Sequence, residues 1–265
     1  NSRNVEDVEK EIIYLSQQGC KEVILLGQNV NAYHGLNKQM EEQGLTDLIE
    51  KIEKIEGIER ISYTTSHPKD MDERLIKLHG DSSKLMPYLH LPVQSGSNKI
   101  LSMMNRKYSS ESYIRIIERL RKSRSDIALS SDFIVGFPGE TRKDFKETIN
   151  LVKEIEFSQS YSFKYSARPA TKAARSENTL SSEEVNDRLY ELQAILKKQH
   201  KYFNQGFLGK KVEVLCKGKG KKEGQIRGTT KWMQVVNFKQ EKNKRINTNV
   251  RIIKATDNSL LGEQA

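Results

Sequence analysis

Cysteine is scarce in this chain: among 265 residues only Cys20 and Cys216 are thiols, nearly two hundred positions apart. By themselves they build neither a disulfide framework nor a clustered cysteine metal site, and their plain reading is two small, incidental thiols. Long apolar runs are missing as well. No stretch nears the roughly 20 uninterrupted apolar residues of a membrane span, and no charged-then-apolar leader precedes a small-residue cleavage site. The expectation is a cytoplasmic, monomeric chain without membrane contact. There is no internal repeat. An initiating methionine is also lacking. The first residue is Asn1 and an amphipathic pattern begins almost at once at Val5, so the chain is expected to be a piece of a longer protein. Hydrophobic residues make up 35%, enough for one large core, or one core and a small appended domain, and too many for disorder throughout.

What the chain does have is positive charge, unevenly placed. The formal charge is +10, yet residues 205–265 hold 14 Lys+Arg against 5 Asp+Glu, which leaves 31 against 30 in residues 1–204. Such asymmetry marks a polyanion-binding tail, with a merely solvated basic surface as the plainer alternative.

The apolar spacing alternates between two periods. Val5, Val8, Ile12 and Leu15 form a helical stripe that stops at Gly19, and the buried-strand run Val23-Ile24-Leu25-Leu26 follows. Leu45, Leu48, Ile49, Ile52 and Ile55 restore a helix, then a strand runs from Arg60 to Thr65. The alternation recurs as helix 72–79 with strand 88–93, helix 110–122 with strand 127–135, and helix 141–155 with strand 158–165. Strands separated by helices imply parallel βαβ units. The expected class is α/β, a partial β/α barrel over residues 1–204, because polar residues cluster after every strand, where barrels build their active-site rim. A long helix, 181–203, begins at the cap-like Ser181-Ser182-Glu183-Glu184. Beyond it the short runs Lys211 to Cys216, Met233 to Phe238 and Asn249 to Ile253 alternate with Gly- and Lys-rich turns, which predicts a small all-β barrel over 205–265.

The post-strand segments carry the candidate site. Gly27-Gln28-Asn29 sets two amides directly after a buried strand, awkward for packing and useful for a ligand. Gln94-Ser95-Gly96-Ser97 can bind a polar ligand without charge, or serve as a turn and helix cap. Gly136-Phe137-Pro138-Gly139-Glu140-Thr141 joins strand to helix, and its glycines admit a flat or anionic group, although a tight turn explains it equally. It matches neither the dinucleotide fingerprint nor the P-loop. Arg168 follows the last strand and can fork onto a carboxylate or phosphate, or form a surface ion pair. His67 and His90 lack a second ligand at metal spacing and are given no catalytic role. In the tail, Lys219, Lys221, Lys222, Arg227, Lys231, Trp232 and Phe238 mix cations with aromatics, as single-stranded nucleic-acid sites do. Trp232 has a core position as its alternative.

Taken together, Gly27-Gln28-Asn29-Val30-Asn31-Ala32-Tyr33, Thr65-Ser66-His67-Pro68, His90 through Ser97, and Ser130 through Thr141 resemble the radical-SAM methylthiotransferases, and within them the MiaB type. Ser2-Arg3, Tyr161-Ser162-Phe163 and Arg168-Pro169 extend the likeness along the whole chain. The resemblance implies a radical-SAM barrel missing its first strand and cluster loop, followed by an RNA-binding TRAM domain. It implies S-adenosylmethionine and 4Fe-4S clusters as cofactors, and tRNA as partner. The implied reaction is methylthiolation at C2 of an isopentenylated adenine beside the anticodon, where an unactivated aromatic C–H gives acid or nucleophile no handle. Gly27, Gln28 and Asn29 are implied to hold the methionine part of the cofactor, and Gly136, Gly139 and Glu140 to lie beside its adenine. Ser66, Gln94, Ser95, Ser131 and Arg168 complete the implied cofactor-binding set. The family's three-cysteine cluster motif and preceding domain are absent from this sequence, so the isolated chain is expected to be inactive in the radical step. Ala170 and Lys172 replace the usual Gly and Pro, and Thr229 a tail-domain Arg. A tRNA-binding remnant, or a transferase acting on threonylcarbamoyl-adenosine or on a ribosomal protein, remains as the alternative reading.

Overall fold

Capping chemistry sets most helix starts. In the computed structural model, which describes residues 2–169, 171, 173, 180–239 and 247–265, α1 (Val5–Gln17) leads into strand β1 (Glu22–Leu25). A short hairpin, β2 (His34–Leu36) and β3 (Glu42–Gly44), precedes α2 (Leu45–Glu53) and β4 (Arg60–Tyr63). Helix α3 (Glu73–Asp81) is capped by Asp72, whose carboxylate accepts from the Leu75 amide at 2.7 Å. Then come β5 (Tyr88–His90), the short α4 (Asn98–Met103), α5 (Ser110–Ser123), β6 (Ala128–Val135), α6 (Arg142–Ile155) and β7 (Gln159–Lys164). Thr141 and Asp144 form a reciprocal capping box on α6, and Ser181 with Glu184 does the same for α7 (Ser182–Gln205).

The strands after each helix lie parallel and in chain order. β1 pairs with β4, β5 with β6, and β6 with β7. A bridge between Ile61 and Leu85 joins the two groups, giving the order β1-β4-β5-β6-β7 with no reversal. Among the described residues, β1 and β7 each have one strand neighbour, so the five strands do not close on themselves. One face packs on the helices through Leu25, Ile61, Tyr63, Leu89, Leu129, Phe133 and Val135. The other, open face carries the alternate residues: Ile24 and Ser62 in register, then His90 beside Ser130, Asp132 opposite Tyr161 and Ile134 opposite Phe163.

The expected strand 88–93 is shorter, ending at His90. Pro92 has no amide for the ladder, but the pairing resumes at the Gln94–Phe133 bridge. Sequence reasoning missed the β2–β3 hairpin and α4. It also missed β9 (Gln225–Thr229) and β12 (Leu260–Gln264), which join β8 (Lys211–Lys219), β10 (Val235–Lys239) and β11 (Asn247–Ala255). These five close into a barrel in the order β10-β12-β11-β8-β9, around Val214, Val236, Phe238, Val250, Ile252 and Leu260.

The small barrel seats on the amino-terminal ends of the parallel strands. Arg60, first in β4 and 1% exposed, donates to the Thr229 carbonyl at 2.8 Å and pairs with the Glu213 carboxylate at 3.0 Å. Lys217 reaches Glu22, first in β1, at 2.6 Å. Trp232 Nε1 donates to the Asp126 carbonyl at 2.8 Å. The post-strand segments with the candidate site are therefore at the opposite end of the sheet.

Candidate cofactor site

The segment after β1 is tied to the one after β4. Asn31 donates to the His67 carbonyl at 2.9 Å and accepts the His67 amide at 2.8 Å, and the Gly27 amide donates to Thr65 Oγ1 at 3.4 Å. Thr65 is held at φ +65°, an uncommon setting for a β-branched residue. These ties present Asn29, whose Nδ2 donates to Asp70 at 2.7 Å while its Oδ1 is buried without a partner. Ser66 Oγ is a second buried, unpartnered oxygen of this same rim. A buried polar atom left unpaired costs about 1–3 kcal/mol, so two together point to a ligand that completes them. Gln28 is exposed.

His67 lies beside them, its ring edge-on to Tyr108 at 5.3 Å. Burial, and then the Arg106 charge, hold its pKa below the usual value, against the opposing pull of Asp70. Arg106, unnoticed in the sequence, thus brings a guanidinium to this rim. Gln94 is a further non-glycine residue with φ +73°. Its amide donates to the Asp132 carbonyl and its carbonyl accepts the Ile134 amide, both at 2.9 Å, which stitches the loop to β6.

On the open face, His90 Nε2 lies 3.5 Å from the Asp132 carboxylate, its Nδ1 3.0 Å from Ser130 Oγ, and its ring edge-on to Tyr161 at 6.5 Å. The carboxylate partner that His90 lacked at ligand spacing is therefore supplied from the neighbouring strand. Asp132 is the lone acid of an otherwise apolar and hydroxylic strand, and that isolation was the signal available in the sequence. Among the described residues no trio of His, Cys, Asp and Glu is grouped to hold a metal ion, and no helix is long and apolar enough to cross a membrane.

Five residues expected at the cofactor have partners or close neighbours within the fold. Ser95 is fully buried beside Thr148 of α6 at 3.2 Å. Ser131 lies on the helix-covered face, where its hydroxyl accepts the Val93 amide at 2.9 Å. Glu140 is 3% exposed and accepts from the Gly136 amide at 3.0 Å and from Arg188 of α7 at 2.7 Å. Burial raises its pKa, opposed by those two bonds. Gly136 has φ +71°, and a Cβ there would meet the Val185 methyls at 2.7 and 2.8 Å, so the residue makes room for α7. Gly139, at φ +81°, faces Met103. Arg168 is exposed beyond β7, while Ala170 and Lys172 lie outside the described residues.

In the small barrel, Lys219, Lys221, Lys222 and Arg227 are exposed along the β8–β9 hairpin. Lys231 lies 3.7 Å from Glu213. Phe238, expected to contact RNA, is 2% exposed in the barrel core, because it occupies an inward position of β10. Trp232, also expected there, is held in the seam between Asp126 and the Phe207 ring, 5.3 Å away. Thr229 receives Arg60 on its carbonyl.

The chain matches the radical SAM superfamily over residues 1–152. It is 51% identical over 265 residues to a tRNA-2-methylthio-N(6)-dimethylallyladenosine synthase of Orientia tsutsugamushi strain Ikeda, covering 99% of this chain and 59% of that protein. The protein of the same name from Wolbachia pipientis subsp. Culex pipiens is 52% identical, covering 98% of this chain and 60% of the relative. The chain thus spans about three fifths of the length of these curated relatives. Among solved structures it is similar to Escherichia coli coproporphyrinogen III oxidase, described as a radical SAM enzyme, with TM-score 0.54 and 19% identity over 74% of this chain and 45% of that one. With more than half its length in that match, and with post-strand loops converging on unpaired buried oxygens, the chain belongs to the radical SAM superfamily.

Proposed function

We propose that this chain is the S-adenosylmethionine- and RNA-binding part of a tRNA methylthiotransferase, acting at C2 of a dimethylallylated adenine next to the anticodon. The parallel strands are read as a partial β/α barrel, residues 1–204, and the closed five-stranded unit, 205–265, as a TRAM domain. The observation that carries the reading is the pair of buried, unpartnered oxygens, Asn29 Oδ1 and Ser66 Oγ, at the strand-end rim.

These residues fit S-adenosylmethionine. Asn29, with Asp70 behind it, would accept from the ammonium of its methionine part. Arg106 or Arg168 would fork onto the carboxylate, and Gln94 would take a ribose hydroxyl. When bound, S-adenosylmethionine supplies the methyl group and the hydrogen-abstracting chemistry that an unactivated aromatic C–H requires. The residues here do not fit an iron–sulfur cluster, since Cys20 and Cys216 are the only thiols and such clusters need several thiolates. What the chain does itself is to bind, orient and, through the loops gathered at the rim, shield the reacting groups from water.

Two measurements test the reading. Calorimetric titration of S-adenosylmethionine into the chain should give a Kd that Asn29→Ala weakens by about tenfold or more, as for a lost bond to a charged group. An unchanged Kd removes Asn29 from the site. For the RNA, changing Lys219, Lys221 and Lys222 to Gln should lower tRNA affinity. It should also flatten the salt dependence by about 0.7–0.9 in log–log slope for each phosphate no longer neutralised. An unaltered slope places the RNA interface elsewhere.

A further inference from the structure

The open face of the parallel sheet holds side chains that neither the cofactor reading nor the fold uses. Ile24 on β1, and Tyr161 and Phe163 on β7, are 44%, 47% and 54% exposed. They sit on the two edge strands and share the face of His90, Asp132 and Ile134, since Asp132 pairs with Tyr161 and Ile134 with Phe163 in register. Tyr161 and Phe163 on one sheet face, next to the hydrogen-bonding pair of His90 and Asp132, are the build of a site for a flat heterocycle with an apolar branch.

Charge narrows the occupant. Asp132 presents a partly exposed carboxylate beside Tyr161 on this face, 27% accessible. Arg60 and Lys164 are the only Lys or Arg residues on the five parallel strands. Arg60 is 1% exposed at the far end and committed to Thr229 and Glu213. Lys164 pairs in register with Val135 of the helix-packed face. Arg106 and Arg168 belong to the rim loops beyond the strand ends. A substituent ending in a carboxylate would therefore meet Asp132 with no Lys or Arg on this face to offset the repulsion.

We infer that this face reads the N6 substituent of the adenine, with Tyr161 and Phe163 accepting an apolar branch and Asp132 turning away a carboxylated one. This rests on the tRNA reading above, and goes beyond it by naming the discriminating side chains. Tyr161, edge-on to the His90 ring, is a positioning surface for the base plane, and Phe163 is the surface for the branch.

The test measures binding of the chain to three stem-loop RNAs by fluorescence anisotropy. They differ only in the target adenine, which is N6-dimethylallylated, unsubstituted or N6-threonylcarbamoylated. The dimethylallyl RNA should bind about tenfold more tightly than the unsubstituted one, as burial of two methylene equivalents would give. Phe163→Ala and Tyr161→Ala should each bring that ratio to within about twofold of unity, with affinity for the unsubstituted RNA kept. Asp132→Asn should improve binding of the threonylcarbamoyl RNA relative to the other two. Both aromatic side chains are half-exposed, so their truncation leaves no core cavity, and circular dichroism checks the fold. A wild-type ratio near one, or a ratio unmoved by both alanine variants, overturns the inference while leaving the tRNA reading intact. Failure to bind any of the three RNAs overturns both.

Discussion

His79 shows at the scale of one side chain how burial decides chemistry. It is fully buried on α3, its Nε2 2.7 Å from the Tyr63 hydroxyl, its Nδ1 without a partner. Burial, and then the Arg124 charge, pull its pKa down to about 3 from 6.5. The unfolded imidazole thus takes up a proton as pH falls through 6.5 while the folded one stays neutral. Stability contributed by the neutral form is complete above pH 6.5 and is lost below it, by up to about 1.4 kcal/mol per pH unit. Urea unfolding at pH 6.5 and 5 should differ by about 2 kcal/mol from this group, and His79→Phe should flatten the slope although it starts less stable. An equal slope in both proteins assigns the acid sensitivity to other groups. Glu140 teaches the complementary point: an acid after a glycine turn reads as a ligand group in the sequence, yet here it neutralises the buried Arg188.

Among the elements, α7 depends on a loop it does not touch in sequence. Val185 packs where Gly136 has no side chain, and Arg188 reaches Glu140. Gly136→Ala would need a left-handed backbone, costing about 1–2 kcal/mol, and would also press on the Val185 methyls. Its Tm should drop by several degrees, at roughly 2–4 °C per kcal/mol for a chain of this size; the midpoint of a thermal melt checks it. An unchanged midpoint would mean that α7 shifts freely, so the loop does not lock it. The helices other than the six-residue α4 were legible because their apolar stripes recur at helical spacing over two turns or more. The β2–β3 hairpin, β9 and β12 were not, because strands of three to five residues with glycine inside, such as Gln225–Thr229 and Leu260–Gln264, show too few alternations to reveal a period.

For the molecule as a whole, the decisive contact is Arg60, which no local pattern marks as special. Its charge is buried at the seam of two units and satisfied by Glu213 and by the Thr229 carbonyl. Arg60→Met should free the small barrel from the sheet, with a loss of about 3 kcal/mol for bonds to a buried charge. Calorimetry should then resolve two unfolding transitions in place of one, and proteolysis should favour the residues between α7 and β8. One undivided transition in the variant would show that Trp232 and Lys217 hold the seam without it.

What the sequence determined by itself was the order of helices and parallel strands, the barrel-like clustering of polar residues after strands, and the separate basic tail. Each depends on periodicity or composition over neighbouring residues, and such signals survive without knowing the fold. Asn29, Gln94 and the hairpin lysines could be nominated in the same way, from their placement after strands or in turns. Only the tertiary structure decided which way side chains point. It turned Ser95, Ser131 and Glu140 into packing partners, put Phe238 in the core and Trp232 in the seam, and set Asp132 beside His90 from a different strand. The reason is physical: a one-residue change of position along a strand reverses its face, and contacts between residues more than forty positions apart leave no local trace.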